Sequence, residues 1–397
     1  MTNRRVAPGN NSPDRWSAST LVLGAGFGLT GTGTVMLGVL LPLLSQQWGL
    51  RDDAAGFLLF LQFLGSSTGA ILSGPNRVRS IMAGYGLLVA SAGALAFAGS
   101  QSAFVFFFCF GAGLGMIMTS TSLLISDRYG DHRAVLLERL NFVWAVGATA
   151  APILFLPFLR SANPRPLFFI FQGLFLLLFV WVVLRERQTD PPPPSPPDEA
   201  RPHGAAIAGS LLPLVVLAMC AVGVDSSLSG WLTTYSHRAD PGHAGAAALT
   251  TSLFWLGIMV SRLIFSTSLL AIIGRQRVLR VALWGVAASV VLLIAVHSLV
   301  LIQVASGLCG LFIGPLYPLV LSFLLERSPR GWVFAMAGIG SAFFPWLTGV
   351  LSAHLGGLRY GLIAPCGAAF LMVFLLPVTF RLAPSSSIAE QDAACQG

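Results

Sequence analysis

Lysine is missing from this chain of 397 residues: all 23 basic residues are arginine. Charge of either sign is scarce, and Asp, Glu and Arg together make up 10% of the sequence. A soluble globular protein carries about 25% charged residues, so this chain has too few to cover a surface in water. Cysteines are few and scattered. Cys109, Cys220, Cys309 and Cys366 lie singly inside apolar segments, and Cys395 lies in the tail. None has the spacing of a metal site or a disulfide framework, so they read as small packing residues. No His/Cys/acid cluster, nucleophile elbow or phosphate loop occurs, which argues against an enzyme, a cofactor and a metal. The short alternating segments of a transmembrane β-barrel are also absent. The net charge of +8 does not point to nucleic acid, because the arginines sit in short loops between apolar runs.

Those apolar runs are the main feature of the chain. Runs of 18 or more residues recur along the whole length, each long enough to cross a bilayer as a helix. We count twelve, at 18–44, 54–74, 80–99, 102–126, 139–160, 166–184, 209–234, 245–271, 278–297, 299–324, 331–353 and 360–382. The first follows Arg4, Arg5 and Arg15 but is too long for a signal-peptide core, so it reads as an uncleaved span. Between the sixth and seventh lies "RERQTDPPPPSPPDEARPHG", charged and proline-rich, which can neither cross lipid nor fold alone. The expected organisation is an N-terminal tail (1–17), a six-helix bundle (18–184), a linker (185–208), a second six-helix bundle (209–382) and a C-terminal tail (383–397). Seventeen arginines fall on the side of the N-terminus and five on the other, with Arg262 inside a span. The positive-inside rule then puts both termini and the linker in the cytoplasm. The expected location is the inner membrane of a bacterium.

The halves look like copies. "GAGLGMIMTSTSLLISDR" (111–128) in span four matches "GLFIGPLYPLVLSFLLER" (310–327) in span ten. "GATAAP" (147–152) matches "GSAFFP" (340–345), and "LQFLG" (61–65) matches "LFWLG" (253–257). The offsets, 192 to 199 residues, are nearly constant. Parallel six-helix repeats are a transporter architecture, with the solute site between the halves near the bilayer midplane. The fold class expected is an all-α membrane protein with twelve transmembrane helices in two pseudo-symmetric bundles.

This organisation resembles the major facilitator superfamily over essentially the whole chain outside the tails. "GVDSSLSGWLTTYSHR", "LFWLGIMVSRL" and "GLFIGPLYPLV" are similar to the fucose-permease and glucose-transporter branch. There Asp225 stands for the branch's acid, and Gly230–Trp231 match. The resemblance implies secondary transport of a sugar or similar small solute, often coupled to a proton.

Asp225 is the sharpest candidate residue, roughly 21 Å from the cytoplasmic end of its span, with Arg262 roughly 13 Å from the end of span eight. A carboxylate at such depth is costly unless it faces a cavity, is paired or is protonated. Burial and a nearby cation act on it in opposite directions, as a proton-coupled carrier requires. A direct pair, or a bridge through water or solute, would serve equally. For solute binding the candidates are Asp225, the amides of Gln62, Asn141, Gln172 and Gln303, and Tyr317. Amides donate and accept to hydroxyls, and Trp144, Trp231, Trp255 and Trp346 can stack on a sugar ring. The glycines and prolines of the repeats read as structural. Arg77, Arg79, Asp127, Arg128, Glu326 and Arg327 are expected to form cytoplasmic latches. The expected partners are a small-molecule solute, protons and the lipid bilayer, for a monomer. Sodium would want more oxygen ligands than one acid supplies. An efflux antiporter is the competing reading, since Gly147-x3-Ala151-Pro152 partly matches an antiporter signature. An uncoupled uniporter is also open.

Overall fold

A bilayer leaves no water for backbone groups, so a chain of apolar runs must satisfy its amides within each helix. The computed structural model does so throughout the residues it describes, 18–129, 133–185, 208–265, 272–327 and 332–381. The N-terminal half comprises α1 (Ala18–Trp48), α2 (Asp52–Leu72), α3 (Arg77–Leu95), α4 (Ser100–Tyr129), α5 (Arg133–Leu154, continued by Leu156–Arg160) and α6 (Arg165–Arg185). The C-terminal half comprises α7 (Ala208–Ala239), α8 (Ala244–Phe265), α9 (Arg275–Ala295), α10 (Leu299–Ile313, continued by Leu316–Arg327), α11 (Trp332–Leu355) and α12 (Leu358–Gly361, continued by Ile363–Arg381). Eleven of the described helices are long and apolar enough to span a membrane. The twelfth, α11, has 24 residues, about 36 Å at 1.5 Å per residue. The protein is therefore an integral, multi-pass membrane protein. The expected tails and most of the linker lie outside the described residues.

The face of the bundle where α1 starts is called proximal below, and the opposite face distal. Asn76 caps α3 by accepting from the Arg79 amide at 3.0 Å, and Ser298 opens α10 in the same way. The distal turn between α1 and α2 passes through Gly49 at φ +62°, which glycine adopts without strain. Pro315 interrupts α10. It has no amide to donate and follows Gly314, so the helix restarts at Leu316.

Packing within each half follows the repeat seen in the sequence. Gly65 and Gly69 of α2 face the carbonyls of Phe108 and Ala112, while Gly111 and Gly115 of α4 face those of Gln62 and Ser66. In the second half, Gly257 of α8 faces the Gly307 carbonyl and Gly310 of α10 faces that of Phe254. A Cβ at any of these glycines would collide with backbone, so only glycine lets the axes approach this closely. The second matched pair behaves the same way. Gly147 seats α5 on the Gly28 carbonyl of α1, and Gly340 seats α11 on the Met219 carbonyl of α7.

The halves meet along three lines. Gly38 of α1 lies against Ser229 and Gly230 of α7, and Gly56 of α2 against Pro345, Trp346 and Gly349 of α11. On the third line, Ser252 of α8 donates to the Thr149 carbonyl of α5 at 2.9 Å. These named contacts fall in the distal half of the bundle, and the line of α2 and α11 continues proximally, where Gly338 lies against Ser67. The proximal parts of α4 and α10 pack chiefly inside their own halves.

Candidate functional site

α8 turns one face outward, marked by the exposed Leu249, Leu253, Leu256, Val260 and Ile264. Trp255 and Arg262 lie off that face. They are seven residues apart, so they share a side of the helix about 10 Å apart along its axis. Trp255 is 3% exposed, and its Nε1 is buried with no acceptor. Across the junction of the halves, Trp144 of α5 meets it edge to face. The ring centroids are 5.1 Å apart, and the Trp144 Nε1 is likewise buried without an acceptor.

Asp225 lies on α7 one turn before Ser229, just proximal of the contact between α1 and α7. Its Oδ1 is buried and unpartnered, as is Nε of Arg262. The two charges act on each other. No hydrogen bond or ion pair joins them among the described residues, and each side chain keeps part of its surface exposed. The proximal edge of the closed layer therefore presents three buried donors without acceptors and one buried acceptor without a donor. Buried polar atoms are almost always satisfied, so this grouping needs a ligand, water or a movement to complete it.

Asn141 lies one turn proximal of Trp144. The outward face of α5 is marked by Val135, Phe142, Val146 and Ile153. Asn141 falls to one side of it, yet it is exposed.

A model of the Major Facilitator Superfamily matches residues 23–267. The chain belongs to that superfamily. As a member of it, the protein is a transporter and not an enzyme. No curated protein matches the sequence. Solved structures similar in fold include a peptide transporter POT in complex with alafosfalin, with TM-score 0.75 and 16% identity, covering 92% of this chain and 94% of that one. Another is a D-xylose-proton symporter, with TM-score 0.72 and 15% identity, covering 92% and 97%. A third is the E. coli fucose:proton symporter, with TM-score 0.61 and 16% identity, covering 92% and 99%.

The other candidate residues are spread through this major facilitator fold. Gln62 is buried and donates to the Thr34 carbonyl at 2.8 Å, leaving Oε1 without a donor. Gln172 packs on Gly93, between α6 and α3. Gln303 donates to the Ala246 carbonyl at 2.8 Å, joining α10 to α8 near the distal face. Trp231 is fully buried and donates from Nε1 to the Pro345 carbonyl at 2.9 Å. Tyr317 lies in the second piece of α10, part-buried. Trp346 packs at a tilt on Phe60 and edge to face on Phe343.

At the proximal face Arg77 reaches Asp127 at 3.6 Å, joining α3 to α4 within one half. Arg128 donates to Ser19 at 3.1 Å, and Arg79 is exposed. The side chains of Glu326 and Arg327 lie outside those described.

Sequence reasoning missed a clasp at the distal face. Arg238, at the end of α7, donates twice to Asp52, at the start of α2, at 2.7 and 2.5 Å. Ser352 of α11 donates to the same carboxylate. An acid and an arginine at span ends on one face were a weak signal for it. The sequence attached no partner to Asp52.

Proposed function

We propose that the protein is a secondary transporter of a small polar solute, a sugar or sugar-like metabolite, working by alternating access and coupled to protons through Asp225. The observation that carries this reading is the couple of Asp225 and Arg262, oppositely charged and without a direct hydrogen bond, with Arg262 about 10 Å along α8 from a tryptophan pair shared by the two halves. A carboxylate without a partner in a membrane interior marks a solute or proton path. The likeness of span seven to the fucose-permease branch supports a sugar. The arginine asymmetry supports a cytoplasmic proximal face, with both termini inside and the chain in a bacterial inner membrane. On that orientation the distal clasp closes the outer side, and the halves, 18–184 and 209–382, rock about it as a monomer with the linker 185–208 between them.

The test is uptake of labelled hexoses, pentoses and sugar acids into proteoliposomes, with and without an inward proton gradient. Accumulation of a solute only with the gradient is expected. Equilibration alone in every condition would remove proton coupling, and uptake of none of the panel would remove the solute class.

A further inference from the structure

Resting on the reading of Asp225 and Arg262 as the centre of the solute site, we propose that the solute is a hydroxylated carboxylate, an anion of the sugar-acid kind. It places its carboxylate on Arg262 and a hydroxyl at Asp225, and it travels with a proton.

The argument starts from what the site leaves unsatisfied. Nε of Arg262 and the Nε1 atoms of Trp144 and Trp255 are buried donors without acceptors, and Oδ1 of Asp225 is a buried acceptor without a donor. Hydroxyls of a neutral sugar could meet these atoms one at a time. They could not balance a guanidinium charge inside a membrane. A carboxylate can, and its two oxygens match the fork of Arg262.

Asp225 acts on Arg262 as a charge but makes no hydrogen bond or ion pair with it among the described residues, so the guanidinium fork is left without a direct acceptor. The α7 segment around Asp225 is pinned by a 2.7 Å hydrogen bond between Ser227 and Thr348, and by the seat of Ser229 against Gly38. Beside Arg262, Ser261 is wedged against Gly314 of α10. Each of these contacts ties its helix to a neighbour.

Charge balance then supplies the coupling. Ionised Asp225 and Arg262 together carry no net charge. An anionic solute adds one negative charge to a region that tolerates none. A proton on Asp225 restores neutrality and gives the carboxyl an O–H to donate to the solute. The anion and proton therefore enter and leave together, and no net charge crosses the membrane. The elements packed around α7 are α1, α8, α10, α11 and α12. Arg262, in the last turn of α8, is the charge they bring that acts on Asp225, and Tyr317, Cys309 and Cys366 are titratable side chains within their helices.

The experiment uses the full chain in proteoliposomes containing a pH dye. It compares matched pairs, glucuronate against glucose and galacturonate against galactose, under an inward proton gradient. The acids are expected to be carried about a hundredfold faster than their neutral partners, with about one proton entering per anion and no dependence on membrane potential. Arg262→Gln is expected to erase the preference for acids, with folding checked by thermal unfolding of the purified variant. Neutral sugars carried as fast as acids, or acids carried without protons, would overturn this inference and leave the small-solute carrier standing. If the folded wild type carried no member of either class, in uptake or in efflux, the functional reading would fall and this inference with it.

Discussion

Asp52 and Arg238 join the two halves of the protein at its distal face through paired hydrogen bonds of 2.7 and 2.5 Å. The Arg238 side chain is 43% exposed and that of Asp52 12%. Water screens part of the attraction, so the pair contributes only about 1 kcal/mol. That is enough to bias two states of similar energy about fivefold. Asp52→Asn is expected to shift the population toward a distal-open state. Spin labels on the distal ends of α2 and α7 would read this as a longer distance fraction. An unchanged distance distribution would show that the clasp does not hold the closure.

The proposed proton coupling can be tested apart from the proposed binding at Asp225. Asp225→Asn removes the titratable group and keeps its size. This variant is expected to lose gradient-driven accumulation, because no proton can ride with the solute. Accumulation equal to wild type, with the same pH dependence, would exclude Asp225 as the coupling site.

The two kinds of tryptophan should answer differently. Trp231 is sealed and bonded to the Pro345 carbonyl, whereas Trp144 and Trp255 hold unpartnered N–H groups at the junction of the halves. Trp231→Phe is expected to cost about 1 kcal/mol of stability and to leave solute-induced fluorescence quenching intact. Trp144→Phe and Trp255→Phe are expected to reduce the quench. Equal quenching in all three variants would place the solute elsewhere.

The glycine seams predict matched failures. Gly111→Val and Gly310→Val each drive a side chain into a facing carbonyl, of Gln62 and Phe254 respectively. Each should destabilise its own half by about 2 kcal/mol or more. Thermal unfolding in detergent should show comparable losses for the two. A loss confined to one would mean that the seams are not equivalent.

Most of the fold was legible because a bilayer imposes a length on every helix, and the apolar runs met that length. The repeat could be read because glycine is the residue that lets backbones touch, so Gly65 and Gly257, or Gly147 and Gly340, had to survive in both halves. Side-chain direction was harder to read. A transmembrane helix is apolar toward lipid and toward protein, so polarity does not say which way it faces. Gln172 could not be assigned to the contact with Gly93 on that basis, nor Trp231 to the Pro345 carbonyl. Asp225 was found because a carboxylate inside an apolar run stands out wherever it points. The clasp of Asp52, Arg238 and Ser352 was hidden for the opposite reason: charges at helix ends are ordinary, and their partners lie 186 and 300 residues away.

The interruption at Gly314–Pro315 separates the two copies mechanically. α4 runs unbroken from Ser100 to Tyr129, while its counterpart in the repeat restarts at Leu316. The first jaw of the molecule is a stiff beam, and the second has a joint at the proximal end of its seam with α8, where Gly314 packs on Ser261. The part of α10 past that joint can bend while Gly310 stays seated on the Phe254 carbonyl. If the halves rock as proposed, the segment past Leu316 can flex on the proximal side while the clasp of Asp52, Arg238 and Ser352 keeps the distal side shut.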